Sequence, residues 1–346
     1  MKKSFRNGLL RCLLAVMASL TLAATPVSAL TASDAIAWPD EHPTPLAAKA
    51  TLYKVSKANL LLDFHGSVQQ PDLVVFMAGN QYRVFPDLVA GFHGWCATQT
   101  VCKGIKTDNV FYATLPPGKL IDAMVSGKLS VGNFWFDVRP DALWPDVFMT
   151  GPRQMTRLGK AGYIDDYALF TRNRGVVLLV AKGNPKKIRS VQDLARPEVR
   201  VAMSSPQREP ASFDSYAKTL DAQGGEKFAQ SVLAKANTVS PSFVHHRENP
   251  QFIADDIADV APMYYHFGDY LKANLPGLFD YVSLPTKGNL VDALGIAKIK
   301  TAPRPRAADA WIEFVRSEQA AAIYEKHGFN YANLEERAQR ISVSEK

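Results

Sequence analysis

Short apolar runs that end in a small-residue turn and lead into a helical pattern recur along the middle of this chain, and they constrain its fold more than any other feature. "DLVVFMAG" ends at Gly79 and is followed by "NQYRVFPDLVAGFHGW", with apolar residues at roughly helical spacing. "NVFYATLPPG" precedes "KLIDAMVSGKL", a helix closed by Gly127, and "PDVFMTG" runs into Thr150-Gly151-Pro152 ahead of "RQMTRLGKAG". Brief apolar runs bounded by turn signals read as buried strands. Strand, tight turn and helix in repetition predict an α/β lobe with a mainly parallel sheet.

A second unit begins near "RGVVLLVAKGNPKKIRSVQDLARPEVRVAMSS". Val176 to Ala181 is an apolar strand, Lys182-Gly183-Asn184-Pro185 breaks it, and Ser190 with Asp193 three residues on caps a short helix. "SFDSYAKTLDAQGG" reads as an amphipathic helix capped by Ser212, followed by a helix near Lys227 to Lys235, the segment "FVHHRENP", a helix "PQFIADDIA" and a strand "DVAPMYYHF". The apolar "LVDALGIAKI" then returns to strand character, with two helices after it. If that strand rejoins the first sheet, the chain crosses between two lobes twice and leaves a cleft, where ligands of open α/β sheets bind. The expected division is a loosely packed leader over 30–68, a first lobe over 69–180, a second over 181–284 and a return to the first over 285–346. Hinges are expected near Val180 to Lys182 and Ser283 to Pro285.

The N-terminus places Lys2, Lys3, Arg6 and Arg11 around and ahead of an apolar core, Leu13 to Ala24, and Val27-Ser28-Ala29 supplies a small-x-small cleavage pattern. These are the parts of a secretory signal peptide over 1–29, since the apolar run is too short to span a bilayer. Four of the positive charges leave with it, so a net charge of +7 becomes +3. No basic block interleaved with aromatics points to nucleic acid. Cys96 and Cys102, in "GWCATQTVCKG", are an even pair bound for an oxidising compartment and are expected to form a disulfide.

"LLVAKGNPKKIRSVQDLARPEVRVAMSSPQREPASF" and "WIEFVRSEQAAAIYEKHGF" resemble the periplasmic solute-binding proteins of ABC transporters, molybdate- and tungstate-binding type, with accessory colonisation factor relatives. The resemblance implies a two-lobed type 2 periplasmic-binding-protein fold that closes on a small anion (a molybdate-, tungstate- or sulfate-like oxyanion, or a small organic anion) without chemistry or cofactor. It implies a monomer in the periplasm serving an ABC permease of the inner membrane. Carried over residue by residue, the anion would meet Gly79, Asn80 and Gln81 at the first turn, Thr114 and Gly118 at the second, and Thr150 and Gly151 at the third. In the second lobe it would meet Ser205, Ala211 and Ser212, with Tyr264 or Tyr265 near the family's binding tyrosine. "MAGNQ" stands where the family carries a serine, so molybdate itself is not implied.

"SFVHHRENPQF" adds charge. On a strand His245 and His246 would point to opposite faces, which disfavours a two-histidine metal site. Arg247 offers a forked donor to an anion, with His246 beside it. A structural turn pairing Arg247 with Glu248, or a metal held by His246 and His266, stays open. Nucleophile-elbow, Walker and His-Glu-x-x-His signatures are absent, and Asp141 with Asp146 in "RPDALWPD" reads as surface turn chemistry, so no enzyme is expected. The reading from another class is a periplasmic accessory or sensory module for a metal complex or a protein partner.

Overall fold

The computed structural model describes residues 64–131, 134–241 and 245–343. The signal-peptide residues and most of the expected leader lie outside the described residues. The first half of the chain forms β1 (Phe64–His65), β2 (Leu73–Met77), α1 (Phe85–Cys96), β3 (Val110–Ala113), α2 (Pro117–Ser126), β4 (Lys128–Val131), β5 (Phe134–Asp137), β6 (Val147–Thr150), α3 (Pro152–Lys160) and β7 (Asp166–Arg172). Then come β8 (Val176–Ala181), β9 (Val201–Ala202), α4 (Pro210–Gly224), α5 (Phe228–Leu233), β10 (Thr238–Val239), α6 (His245–Ala254), β11 (Val260–Tyr264), α7 (Tyr265–Asn274) and β12 (Phe279–Ser283). The chain closes with β13 (Ala293–Lys298), α8 (Pro305–Val315), α9 (Glu318–Lys326), β14 (Asn330–Tyr331), α10 (Leu334–Ala338) and β15 (Ile341–Ser342).

Two sheets organise the lobes. The first runs β1-β3-β2-β6-β13-β7-β14 with β15 also on β7, and the second runs β10-β9-β11-β8-β12. β2 illustrates why an unbroken apolar run forms a central strand. Alternate residues point to opposite faces, Leu73, Val75 and Met77 into a core with Trp311, Val74 and Phe76 into one with Leu120. The return strand β13 enters the first sheet between β6 and β7, so the chain crosses between lobes twice, as the sequence implies.

Several expectations need correction. The sheets are mixed: β2 is parallel to β3 and β6, but β13 is antiparallel to both neighbours, and β8 is antiparallel to β11 and β12. β13 and β8 each enter their sheet from the other lobe; β1 on β3 and β14 and β15 on β7 are antiparallel as well. The strand Val176–Ala181, placed in the first lobe by the sequence, belongs to the second sheet. The crossing therefore falls at 173–175 instead of near Val180 to Lys182. Phe64 and His65, assigned to the leader, pair with Ala113 and Tyr112. The fourth helix starts at Pro210 with Ser212 inside its first turn. Asp146 is no surface acid: it is fully buried, accepting from the Val74 amide at 2.8 Å and from Arg304 Nε at 2.7 Å.

The two crossing segments are bound to each other. Asn173 N donates to Asp292 O at 3.0 Å and Asp292 N to Asn173 Oδ1 at 3.1 Å. Val176 N donates to Asn289 Oδ1 at 2.7 Å, and Asn289 Nδ2 returns a bond to Val176 O at 2.9 Å. Gly175 sits between them at φ +83°, with Asn289 Oδ1 2.6 Å from where a Cβ would stand. Cys96 and Cys102 form a disulfide with a Cα–Cα distance of 5.2 Å, away from the crossings, at the end of α1.

Candidate functional site

A cavity of about 730 Å³ lies between the lobes. One wall follows the carboxyl ends of β2, β3 and β6, and the other is the turn and first stretch of α4. The starts of three helices converge on it: α2, α3 and α4, each with proline in its first turn, Pro117, Pro152 and Pro210. Proline suits that position because its fixed φ is already helical and it forfeits an N–H that has no intrahelical partner. The amides that follow are unspent. Among the described residues, those of Gly118, Arg153, Ala211 and Ser212 donate to no backbone carbonyl, nor do those of Gly79 and Asn80 in the three-residue 3₁₀ turn after β2. Unpaired N–H groups and the positive ends of helix dipoles suit an anion.

Thr150 gives the cavity a side-chain donor. It ends β6 directly before Gly151, is 1% exposed, and its hydroxyl has no partner in the structure. A buried hydroxyl left unpaired costs about 1–3 kcal/mol, which a ligand can relieve. Asn80 Oδ1 and Gln154 Oε1 are buried without partners on the same walls.

Charge is distributed around the rim. Lys119, Arg153, Arg157, Arg208 and Lys218 line the cavity, as do Asp122, Glu209, Asp214 and Asp292. Arg157 pairs with Asp122 at 2.5 Å on the first-lobe wall, and Arg153 pairs with Asp214 across the cleft. Tyr264, at the end of β11, lies against the second crossing segment, its hydroxyl in hydrogen-bond reach of Asp292 and Ser215. Burial, and then the Asp292 charge, push the phenol well up, so it stays neutral.

Of the residues expected from sequence, Gly79, Asn80, Gly118, Thr150, Gly151, Ala211, Ser212 and Tyr264 line the cavity. Gln81 is fully buried instead, its Oε1 accepting from the Tyr324 hydroxyl at 2.7 Å. Thr114 is buried off the cavity wall, and Ser205 turns its Oγ to the Arg208 amide at 3.2 Å. Tyr265 opens α7 and faces away, its ring 4.5 Å from the Arg174 guanidinium and edge-on to Tyr281. His245, His246 and Arg247 lie on the first turn of a helix, not on a strand, so the opposite-face argument lapses. Their side chains lie outside the described residues.

Sequence reasoning missed the rim cations. Their signal was local: Lys119 and Arg153 stand one residue beyond turns already singled out, and Arg208 two before Pro210. His266 is buried against Phe329 at the lobe boundary, and among the described residues no group of three or more His, Cys, Asp or Glu could hold a metal ion.

The family profile described as bacterial extracellular solute-binding protein matches residues 73–330. None of the curated proteins matches the sequence. Among solved structures, the periplasmic molybdate-binding protein of Azotobacter vinelandii is similar at 17% identity and TM-score 0.56, over 75% of this chain and 100% of that one. The sulfate-binding protein SubI of Mycobacterium tuberculosis H37Rv is similar at 17% identity and TM-score 0.55, over 77% and 88%. Peb3 of Campylobacter jejuni is similar at 15% identity and TM-score 0.51, over 75% and 99%, and PEB3 with L-phospholactate bound at 16% and 0.52 over the same shares. At such identities the likeness is one of fold.

Proposed function

The chain belongs to the bacterial extracellular solute-binding proteins, and from that premise we propose that it captures a small anion between its lobes and delivers it to an ABC permease of the inner membrane. The basic, apolar and small-x-small N-terminus supports export to the periplasm. The observation that carries the anion reading is the buried, unpartnered Thr150 hydroxyl at the mouth of α3, among the unspent amides of three converging helix starts. Gly79, Asn80, Gly118, Gly151, Ala211 and Ser212 would offer backbone donors, and Lys119 and Lys218 would add charge at the rim.

Size bears on the class of anion. About 730 Å³ falls within the ~300–1,000 Å³ of pockets that hold organic ligands. A bare tetrahedral oxyanion occupies the space of a few waters, each about 30 Å³. The cleft is therefore better suited to an organic anion, a carboxylate or phosphate ester, than to molybdate. PEB3 with its L-phospholactate offers a parallel of fold and ligand size, while the ligand class rests on this cleft's own dimensions.

Thermal unfolding of the secreted protein tests the reading against L-phospholactate, small carboxylates, sulfate, phosphate, molybdate and divalent metals, with and without chelator. A native-only ligand at 100 times its Kd adds about 2.7 kcal/mol. Stabilisation by an organic anion that survives chelator is expected. Stabilisation by a metal alone, abolished by chelator, would overturn the proposal.

A further inference from the structure

The stretch Gly79–Arg83 lines the cleft with its first two residues and leaves its own lobe with its last two. Tyr82 is 7% exposed and packs within the second lobe's core, its ring 5.7 Å from Phe267. Arg83 sets its guanidinium 3.2 Å from the centre of the Tyr270 ring on α7. α7 answers in the opposite direction. His266 reaches into the first lobe, stacks on Phe329 at 4.2 Å, and its Nε2 lies 3.0 Å from the Asn80 carbonyl, to which it donates.

The turn's own bonds, Gln81 N to Ala78 O and Tyr82 N to Gly79 O, use the carbonyls of Ala78 and Gly79 and leave that of Asn80 to a partner outside the turn. With the His266 bond made, the Asn80 carbonyl is held toward α7. Without that donor the half-buried oxygen lacks its partner, and rotation toward the cleft would bring its negative end to where an anion would sit. We infer that His266 is a positioning residue for the anion-binding turn: the second lobe, not the first, keeps the Asn80 carbonyl turned away from the space that the Gly79 and Asn80 amides face. The inference takes from the proposed function that these amides face the ligand. Lobe closure and alignment of the turn are then one movement, because the turn is fastened to both lobes.

Two variants of the full secreted chain separate positioning from packing. His266→Phe keeps the ring stack on Phe329 and removes the donor, whereas His266→Gln keeps an N–H at similar reach. Amide hydrogen exchange of Gln81 and Tyr82, whose N–H groups carry the turn's internal bonds, read without any ligand, is expected to quicken roughly tenfold in the Phe variant and to stay near the parent in the Gln variant. Binding of L-phospholactate is expected to weaken in the same order. Parent-like exchange in the Phe variant, or equal damage in both variants spread over the whole chain, would overturn the inference. If L-phospholactate binds none of the three proteins, the exchange data still decide the role of His266, and only the ligand reading is weakened.

Discussion

Arg153, in the first turn of α3, pairs with Asp214 on α4 across the mouth of the cleft, so the two walls share an ion pair that no stretch of backbone enforces. Both side chains are more than one-third exposed, which limits the pair to about 1 kcal/mol or less of stability. Its weight falls on exchange of the bound anion. Arg153→Gln and Asp214→Asn should leave the melting temperature nearly unchanged and speed ligand dissociation in stopped-flow displacement. The exchanged pair Arg153→Asp with Asp214→Arg should restore part of the slow release, and unchanged dissociation in the single variants would exclude the closing role.

Thr150→Val removes a hydroxyl that no protein atom uses and preserves the shape of the residue. Stability should hold or rise slightly, because an unpaired buried polar group is lost. Anion affinity should fall about tenfold or more, the worth of one hydrogen bond to a charged group. Isothermal titration alongside thermal unfolding separates the two effects.

At the first crossing, Gly175→Ala combines a left-handed backbone, about 1–2 kcal/mol for a residue with a Cβ, with a close approach to the Asn289 amide. Denaturant unfolding should register a loss of at least that size. The same substitution at Gly104, also at positive φ but with open space around it, should cost only the backbone part.

Asp259 links acid sensitivity to the second sheet. Burial works against its charge, but hydrogen bonds from the Arg200 side chain and amide prevail, so the carboxyl sits below its ordinary range. The folded state binds the proton less readily than the unfolded chain. Its stabilising contribution is therefore present above about pH 4 and lost as pH falls through the folded value. Asp259→Asn should cost on the order of 2 kcal/mol near neutral pH and flatten the acid limb of the stability curve measured by chemical unfolding.

The strands were legible wherever a residue's own neighbours decide its burial. β2, β3, β6 and β8 are apolar on both faces and bounded by turn residues, and each lies where the pattern puts it. What β13 pairs with is written nowhere near β13, so the antiparallel half of the sheet could not be read locally. The crossing at Asn173-Arg174-Gly175 lacked the punctuation of Gly-Asn-Pro, although Gly175 is where the positive φ falls. Pro250 looked like a helix start and sits inside α6. At the cleft, turns could be located but not aimed. Asn80 and Gln81 are adjacent, yet one lines the cavity and the other is held under it by Tyr324, a residue more than two hundred positions away.

The place of β13 has a temporal consequence. β6 and β7 are both made from the first half of the chain, yet the strand that joins them spans 293–298 and arrives after the entire second sheet. Until then both present open edges, while strands β8 to β12 find all their strand partners within one continuous stretch. The later lobe in space is thus free to consolidate first, and the earlier one waits for the chain's final segment. High sequence separation between pairing strands slows assembly. A polypeptide emerging N-terminus first therefore cannot close its first sheet until nearly all of it has emerged.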